Sequence, residues 1–165
     1  MAPTMITADE VRRLLDYNPE TGVFYWKERR GGRASAGSIA GALQKNGYIH
    51  ILIYRRGYSA HRLAWLHAHG EWPPEQIDHI NRIRHDNRLA NLRLATRSEN
   101  AQNTSLRKNN LSGVRGVSWY KKNNRWIVRV YANKEIYWSK YFTCFAQAVK
   151  ARRAVEAKAH PFRTP

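Results

Sequence analysis

The stretch IDHINRIRHDNRLANLRLATRSEN, residues 77–100, decides how the middle of this chain folds. Residues 76–80 and 91–95 have the composition of short strands, and the polar residues 81–88 between them form a long loop. Thr96 and Glu99 stand three apart, the spacing at which a hydroxyl caps a helix and a carboxylate reaches back to its first amide. The segment is therefore expected to be a β-β-α unit. Asn81, Asn87 and Asn91 can hold the loop through side-chain bonds to its backbone. Asn100 and Asn103, three residues apart on the final helix, face the same way.

Hydrolysis of a phosphodiester needs an activated water, a cation that takes up charge on the phosphate, and a frame that aligns the two. Asp78 offers a hard oxygen ligand suited to Mg²⁺ or Mn²⁺, and the amide oxygen of Asn100 offers a second, neutral one. His79, with an ordinary pKa near ~6.5, can take a proton from water at neutral pH. Neighbouring residues of a regular strand point to opposite faces, so Asp78 and His79 share a site only where the strand ends or bends. His61 opens a helix beside a β-ribbon and is read as a packed residue, with a phosphate contact or site support as the alternative. His67, His69, His85 and His160 show no partner spacing and are assigned to surface or core. Cys144 reads as a small buried hydrophobe.

Upstream, Thr7 and Glu10 form another capping pair, so a helix should start near Ala8. DYNPETG (residues 16–22) is a turn leading into a strand at 23–27, and residues 31–41 read as a connector. GYIHILIY and GYSAHR are β-rich, separated by turn residues 55–57. HRLAWLHAH (residues 61–69) has helical spacing and is stopped by Gly70, Pro73 and Pro74.

Residues 104–112 are polar and read as a linker, after which the pattern changes to period two. In residues 125–131, Trp126, Val128 and Val130 share one face, with Arg125, Ile127, Arg129 and Tyr131 on the other. The same alternation groups Arg115, Val117 and Trp119, and separately Trp138 and Lys140, so each of three strands is expected to offer a cationic-aromatic face. A closing helix at 145–159 is expected to place Phe145, Ala148, Val149, Ala151 and Val155 on one side. Arg152 interrupts that side, so its stem should lie along the sheet with the guanidinium reaching out.

Lys and Arg number 29 against 12 Asp and Glu, a formal charge of +17. Fourteen of those bases and two acids follow Leu106, so the C-terminal third carries most of the positive field. That points to a polyanionic partner. The single cysteine excludes an intramolecular disulfide or a multi-cysteine zinc site, and no apolar run approaches the ~18 residues of a membrane span. The N-terminus lacks a signal-peptide apolar region, so a reducing, cytosolic setting is expected.

The pattern AHRLAW, DHIN, DNRLANLR and TRSEN resembles the HNH endonucleases of phages and mobile introns, in the subgroup with Asn in place of the last His; the likeness spans residues 7–105. It implies that Asp78 and Asn100 bind one divalent metal, Mg²⁺ or Mn²⁺, that His79 is the general base, and that Asn87 braces the loop. His61, Asn91 and Asn103 are the residues expected to support the site. The remainder is similar to the Apetala/ethylene-response-factor DNA-binding domain, a three-stranded sheet on a helix. By position it implies DNA contacts at Arg115, Trp119, Arg125, Arg129, Tyr131, Trp138 and Lys140. Val117 stands where that family often has Arg, and Arg152 where it packs an aromatic.

The expected fold is therefore α+β: a ββα-metal (His-Me finger) nuclease module at 1–106, a linker at 107–112, and a three-stranded antiparallel sheet packed on one helix at 113–165. The expected function is site-specific, homing-type cleavage of duplex DNA, as a nick or a double-strand cut. The expected protein is a phage- or prophage-encoded monomer in a bacterial cytoplasm, with no membrane partner and no small-molecule cofactor. Two other readings fit the same sequence: a DNA-binding regulator with an inactive nuclease module, and an RNA-binding protein.

Overall fold

The structure is a computed structural model that describes residues 5–31, 34–103, 106, 109–132 and 135–160. Residues 104, 105, 107 and 108 of the expected linker lie outside the described residues. The chain divides into two compact units, Met1–Asn100 and Ala101–Pro165. No described helix is long and apolar enough to cross a membrane.

In the first unit, α1 (Ala8–Leu14) is capped by Thr7, whose hydroxyl accepts the Glu10 N–H at 3.2 Å. The chain then enters β1 (Leu15–Asn18), which pairs antiparallel with β2 (Val23–Trp26). The sequence hid β1, because four residues wedged between a helix end and a turn are too short to show a period. Residues 31–41 are less of a connector than expected. Trp26 N–H donates to the Ser38 carbonyl and Ala40 N–H to the Phe24 carbonyl, so residues 37–40 lie along β2.

A second sheet has the order β3 (Ala42–Leu43), β4 (Ile49–Ile53), β5 (Arg56–Ser59). Its β4–β5 turn is Tyr54 and Arg55, both at positive φ, rather than residues 55–57; Arg56 and Gly57 already pair in β5. A two-residue turn of that hand matches the twist of the strands it joins. Helix α2 (Ala60–His69) follows and stops at Gly70, φ 82°.

The stretch quoted first folds as a β-β-α unit. β6 (Gln76–His79) pairs antiparallel with β7 (Leu92–Ala95), and α3 (Arg97–Gln102) begins after Thr96. The cap is reciprocal: Glu99 N–H donates to Thr96 Oγ1 at 3.2 Å, and Thr96 N–H to Glu99 Oε2 at 2.8 Å. Ile77 and Leu92 join the core made by Val11, Leu14, Leu15, Phe24, Ile51, Ile53, Leu63 and Leu66. One face of β6 is thereby pinned to the hydrophobic interior.

The second unit is a sheet of order β10-β9-β8, from β8 (Val117–Tyr120), β9 (Arg125–Ala132) and β10 (Glu135–Phe142), with α4 (Phe145–Ala159) against it. Val117, Val128 and Ala148 are its buried centre, flanked by Val114, Trp126, Trp138 and Phe142.

Three expectations change here. Cys144 is exposed, at the N-cap of α4. Arg115 precedes the strand rather than lying in it, because Gly116 at φ +71° breaks the alternation before Val117. Arg152 keeps its guanidinium inside, at 2% exposure, where Nε donates to the Arg115 carbonyl at 2.9 Å and Nη2 to Glu156 Oε1 at 3.0 Å. A Cβ on Gly116 would lie 2.4 Å from the Arg129 carbonyl oxygen and 2.8 Å from Arg152 Nε. Gly116→Ala is therefore expected to destabilise the second unit by about 2–4 kcal/mol through backbone strain and overlap. Chemical denaturation followed by Trp fluorescence measures it.

Candidate active site

Antiparallel pairing continues through the end of β6, with Asp78 opposite Arg93 and His79 opposite Leu92. The two candidate residues therefore point to opposite faces of the strand. β6 ends at His79, whose carbonyl accepts the N–H of Arg82, a residue at φ +66°. The expected ending is present, and it puts the two faces next to one another at a strand terminus.

On the outer face, the Asp78 carboxylate is 5% exposed and accepts from Arg93 Nε at 2.9 Å and Nη2 at 2.8 Å. Gln76, two residues earlier, shares this face, and Asn100 Nδ2 donates to Gln76 Oε1 at 2.8 Å. The bond turns the amide of Asn100 toward the side of β6 that carries Asp78. Asn103 is buried just after α3, in the second unit.

On the inner face, His79 is 4% exposed, and its Nε2 lies 3.3 Å from Asn87 Oδ1. An amide oxygen only accepts, so Nε2 carries the proton and Nδ1 the lone pair. Asn87 Nδ2 points to the His85 carbonyl at 3.4 Å, which fixes the amide in that orientation. Burial pushes the His79 pKa below its ordinary value, opposed by the bond to Asn87 and the charge of Asp78. The imidazole is consequently neutral at pH 7 and able to accept a proton.

The loop that delivers Asn87 is braced on two sides. Within it, Asn91 Nδ2 donates to Asn81 Oδ1 at 3.0 Å and to the Asp86 carbonyl at 2.8 Å. Asn81 Nδ2 donates to Asp86 Oδ2 at 2.6 Å, and the Arg88 guanidinium, bonded to both Asp86 oxygens, holds that carboxyl down at about pKa 2. From outside, the Tyr17 hydroxyl donates to the Asn87 carbonyl at 2.7 Å, and Leu89 N–H to the Pro19 carbonyl at 3.0 Å. Gly22, at φ +74°, lets the β1–β2 turn approach so closely that a Cβ would stand 2.4 Å from Arg88 N.

His61 stands with its ring 5.1 Å from that of His79, edge to face, and 5.2 Å from that of Tyr48. Burial, reinforced by His79, Arg62 and His50, lowers its pKa to about 3. Among the described residues, no group of three His, Cys, Asp or Glu side chains could hold a metal. One carboxylate and one amide oxygen, from Asp78 and Asn100, nevertheless fit a hard divalent cation that takes its remaining ligands from water and phosphate.

The seven expected DNA contacts do not share a face. Direct pairing of Trp119 with Trp126, of Trp138 with Val130 and of Lys140 with Val128 puts Trp119, Trp138 and Lys140 on the side of Val128, which packs on α4. Arg125, Arg129 and Tyr131 lie on the opposite, open side, with Tyr120 and Tyr141. Alternation groups residues within one strand, whereas the phase between strands is set by register, and a bulge between Ile136 and Trp138 shifts it further.

Several residues of the site had no mark in the sequence: Tyr17, Gly22, Tyr48 and Arg93 reach it only through folding. Asp86 did have one, as an acid directly before Asn87 in an Asn-rich turn.

A family model for HNH endonucleases matches residues 58–102, which include His61, Asp78, His79, Asn87 and Asn100. Protein 3.8 of Escherichia phage T7 is 39% identical over 77 residues, 44% of this chain and 64% of that protein, so the match spans under two thirds of the relative. A solved structure, "DNA binding and cleavage by the HNH homing endonuclease I-HmuI", aligns at 20% identity and TM-score 0.41, covering 88% of this chain and 84% of that one.

Two outcomes follow from the geometry. Tyr17→Phe strips the Asn87 carbonyl of a buried donor and is expected to cost about 1–3 kcal/mol, read by urea denaturation. Acid should weaken the first unit. His61 and His79 bind protons more readily unfolded than folded, so stability falls as pH drops below ~6.5, with the His61 part complete only near its folded value of about 3. Asp86 adds to the loss below about pH 4, since its folded pKa is depressed. Thermal melts between pH 7 and 4 measure the sum; a flat profile would contradict the buried neutral histidines.

Proposed function

We propose that this chain is a divalent-metal-dependent DNA endonuclease of the HNH type. The observation that carries the reading is the bond from His79 Nε2 to the buried Asn87 amide, which sets a neutral imidazole with a basic Nδ1 beside a buried aspartate. The family match over residues 58–102 supports the same assignment.

In this mechanism, DNA lies across the end of β6, where both faces of the strand are within reach. His79 Nδ1 takes a proton from the attacking water. The imidazolium so formed keeps its bond to Asn87 through Nε2–H, and the Asp78 carboxylate next in the chain steadies its charge. Asp78 and Asn100 would hold Mg²⁺ or Mn²⁺, which supplies charge neutralisation at the phosphate and leaving oxygen. Arg93 neutralises the buried Asp78 carboxylate in this structure, so metal binding and the Arg93 bridge draw on the same group.

The second unit would add grip. Its open sheet face, with Arg125, Arg129 and Tyr131, and most of the +17 charge fit a sequence-tolerant hold on duplex phosphates, and a homing-type role would use this hold for register. One centre in each chain fits a nick, and two chains on a palindrome would cut both strands.

Incubation with supercoiled plasmid and Mg²⁺ or Mn²⁺ should yield nicked or linear product, abolished by EDTA. Asp78→Ala and Asn100→Ala should each reduce the rate by at least about 100-fold while leaving gel-shift affinity in EDTA within about threefold. Cleavage that persists in EDTA would refute the metal assignment. Tight binding without cleavage under any divalent metal would favour the regulator instead.

A further inference from the structure

Packing does not account for His61. Its buried Nδ1 has no hydrogen-bond partner among the described residues. Such an atom destabilises a fold, and a Leu or Met at this helical position would avoid that cost and favour the helix. Polar atoms kept at the expense of stability tend to sit where a protein works on something else.

His61 occupies such a place. His79 retains 4% of its surface, and the rings over it are those of Tyr48, 5.8 Å away, and His61, 5.1 Å away. Both rings therefore lie beside the His79 imidazole. On Tyr48 lies a third group, the Arg84 guanidinium, its Cζ 5.2 Å from the ring centroid. Arg84 Nη1 is anchored by the Asn46 carbonyl at 2.8 Å, which fixes a cation in place beside the approach to His79. A planar guanidinium and an imidazole N–H are both suited to non-bridging phosphate oxygens.

We propose that His61 and Arg84, ranged about Tyr48, are substrate-binding residues that grip the phosphodiester where His79 acts: the imidazole of His61 by a ring N–H, Arg84 by its guanidinium. The inference rests on the nuclease reading above. It gives the first-turn histidine of α2 a role in the reaction and adds an arginine from the β6–β7 loop.

His61→Leu, His61→Gln and Arg84→Gln test it in the full-length protein, by melting temperature and by single-turnover cleavage of plasmid under saturating enzyme. His61→Leu should melt at or above the wild-type temperature yet cleave about 100-fold more slowly. His61→Gln, which keeps a donor, should recover part of that loss, and Arg84→Gln should cleave at least about 10-fold more slowly with an unchanged melting temperature. A lower melting temperature for His61→Leu, with wild-type cleavage per folded molecule, would make His61 a packing residue and overturn the proposal. Should the Leu variant not fold, undiminished cutting by His61→Gln and Arg84→Gln overturns it equally. Wild-type protein that binds DNA but never cuts it would sink the nuclease reading and this inference with it; normal cutting by the wild type and by all three variants would sink only this one.

Discussion

The Asn87 side chain is 1% exposed, so its amide must find partners inside the protein, and it finds one in His79. That constraint sets the tautomer of the candidate base. It also makes the rest of the first unit answerable to the loop. Tyr17 and Pro19 hold the loop from one side, the Asn81–Asp86–Asn91 network holds it from within, and the absence of a side chain at Gly22 lets the two meet. The N-terminal hairpin is therefore a buttress of the site as well as part of the core.

The two faces of β6 divide the chemistry. Its inner face carries Ile77 into the core and His79 against Asn87, so the imidazole is buried and neutral. Its outer face carries Asp78 toward Arg93, with Asn100 drawn over by Gln76. Placing the proposed metal donor, Asp78, and the proposed base, His79, on consecutive residues would separate them in mid-strand. At a strand end the same alternation sets them on either side of one edge, where an extended phosphate backbone can meet both.

Much of this was legible in the sequence, because it depended on local signals. Reciprocal caps at Thr96 and Glu99, Gly70 after α2 and the Asn-rich loop are each written within a few residues. What depended on register was not. The period-two pattern of residues 125–131 was right within β9, yet Trp119, Trp138 and Lys140 fell on the α4 side, because phase between strands is settled by cross-strand pairs and one bulge. Burial of the Arg152 guanidinium was equally hidden, since its acceptor is the carbonyl of Arg115, 37 residues away. The contacts that brace Asn87 are long-range in the same sense, Tyr17 lying 70 residues before it.

The central claim is that His79, oriented by Asn87, takes the proton from the attacking water. It is tested most directly by single-turnover cleavage of plasmid with His79→Ala, in the absence and presence of added imidazole. The expected result is a fall of about 10²–10⁴-fold, partly restored by imidazole, with affinity for DNA in EDTA retained. Cleavage by His79→Ala at the wild-type rate would contradict it.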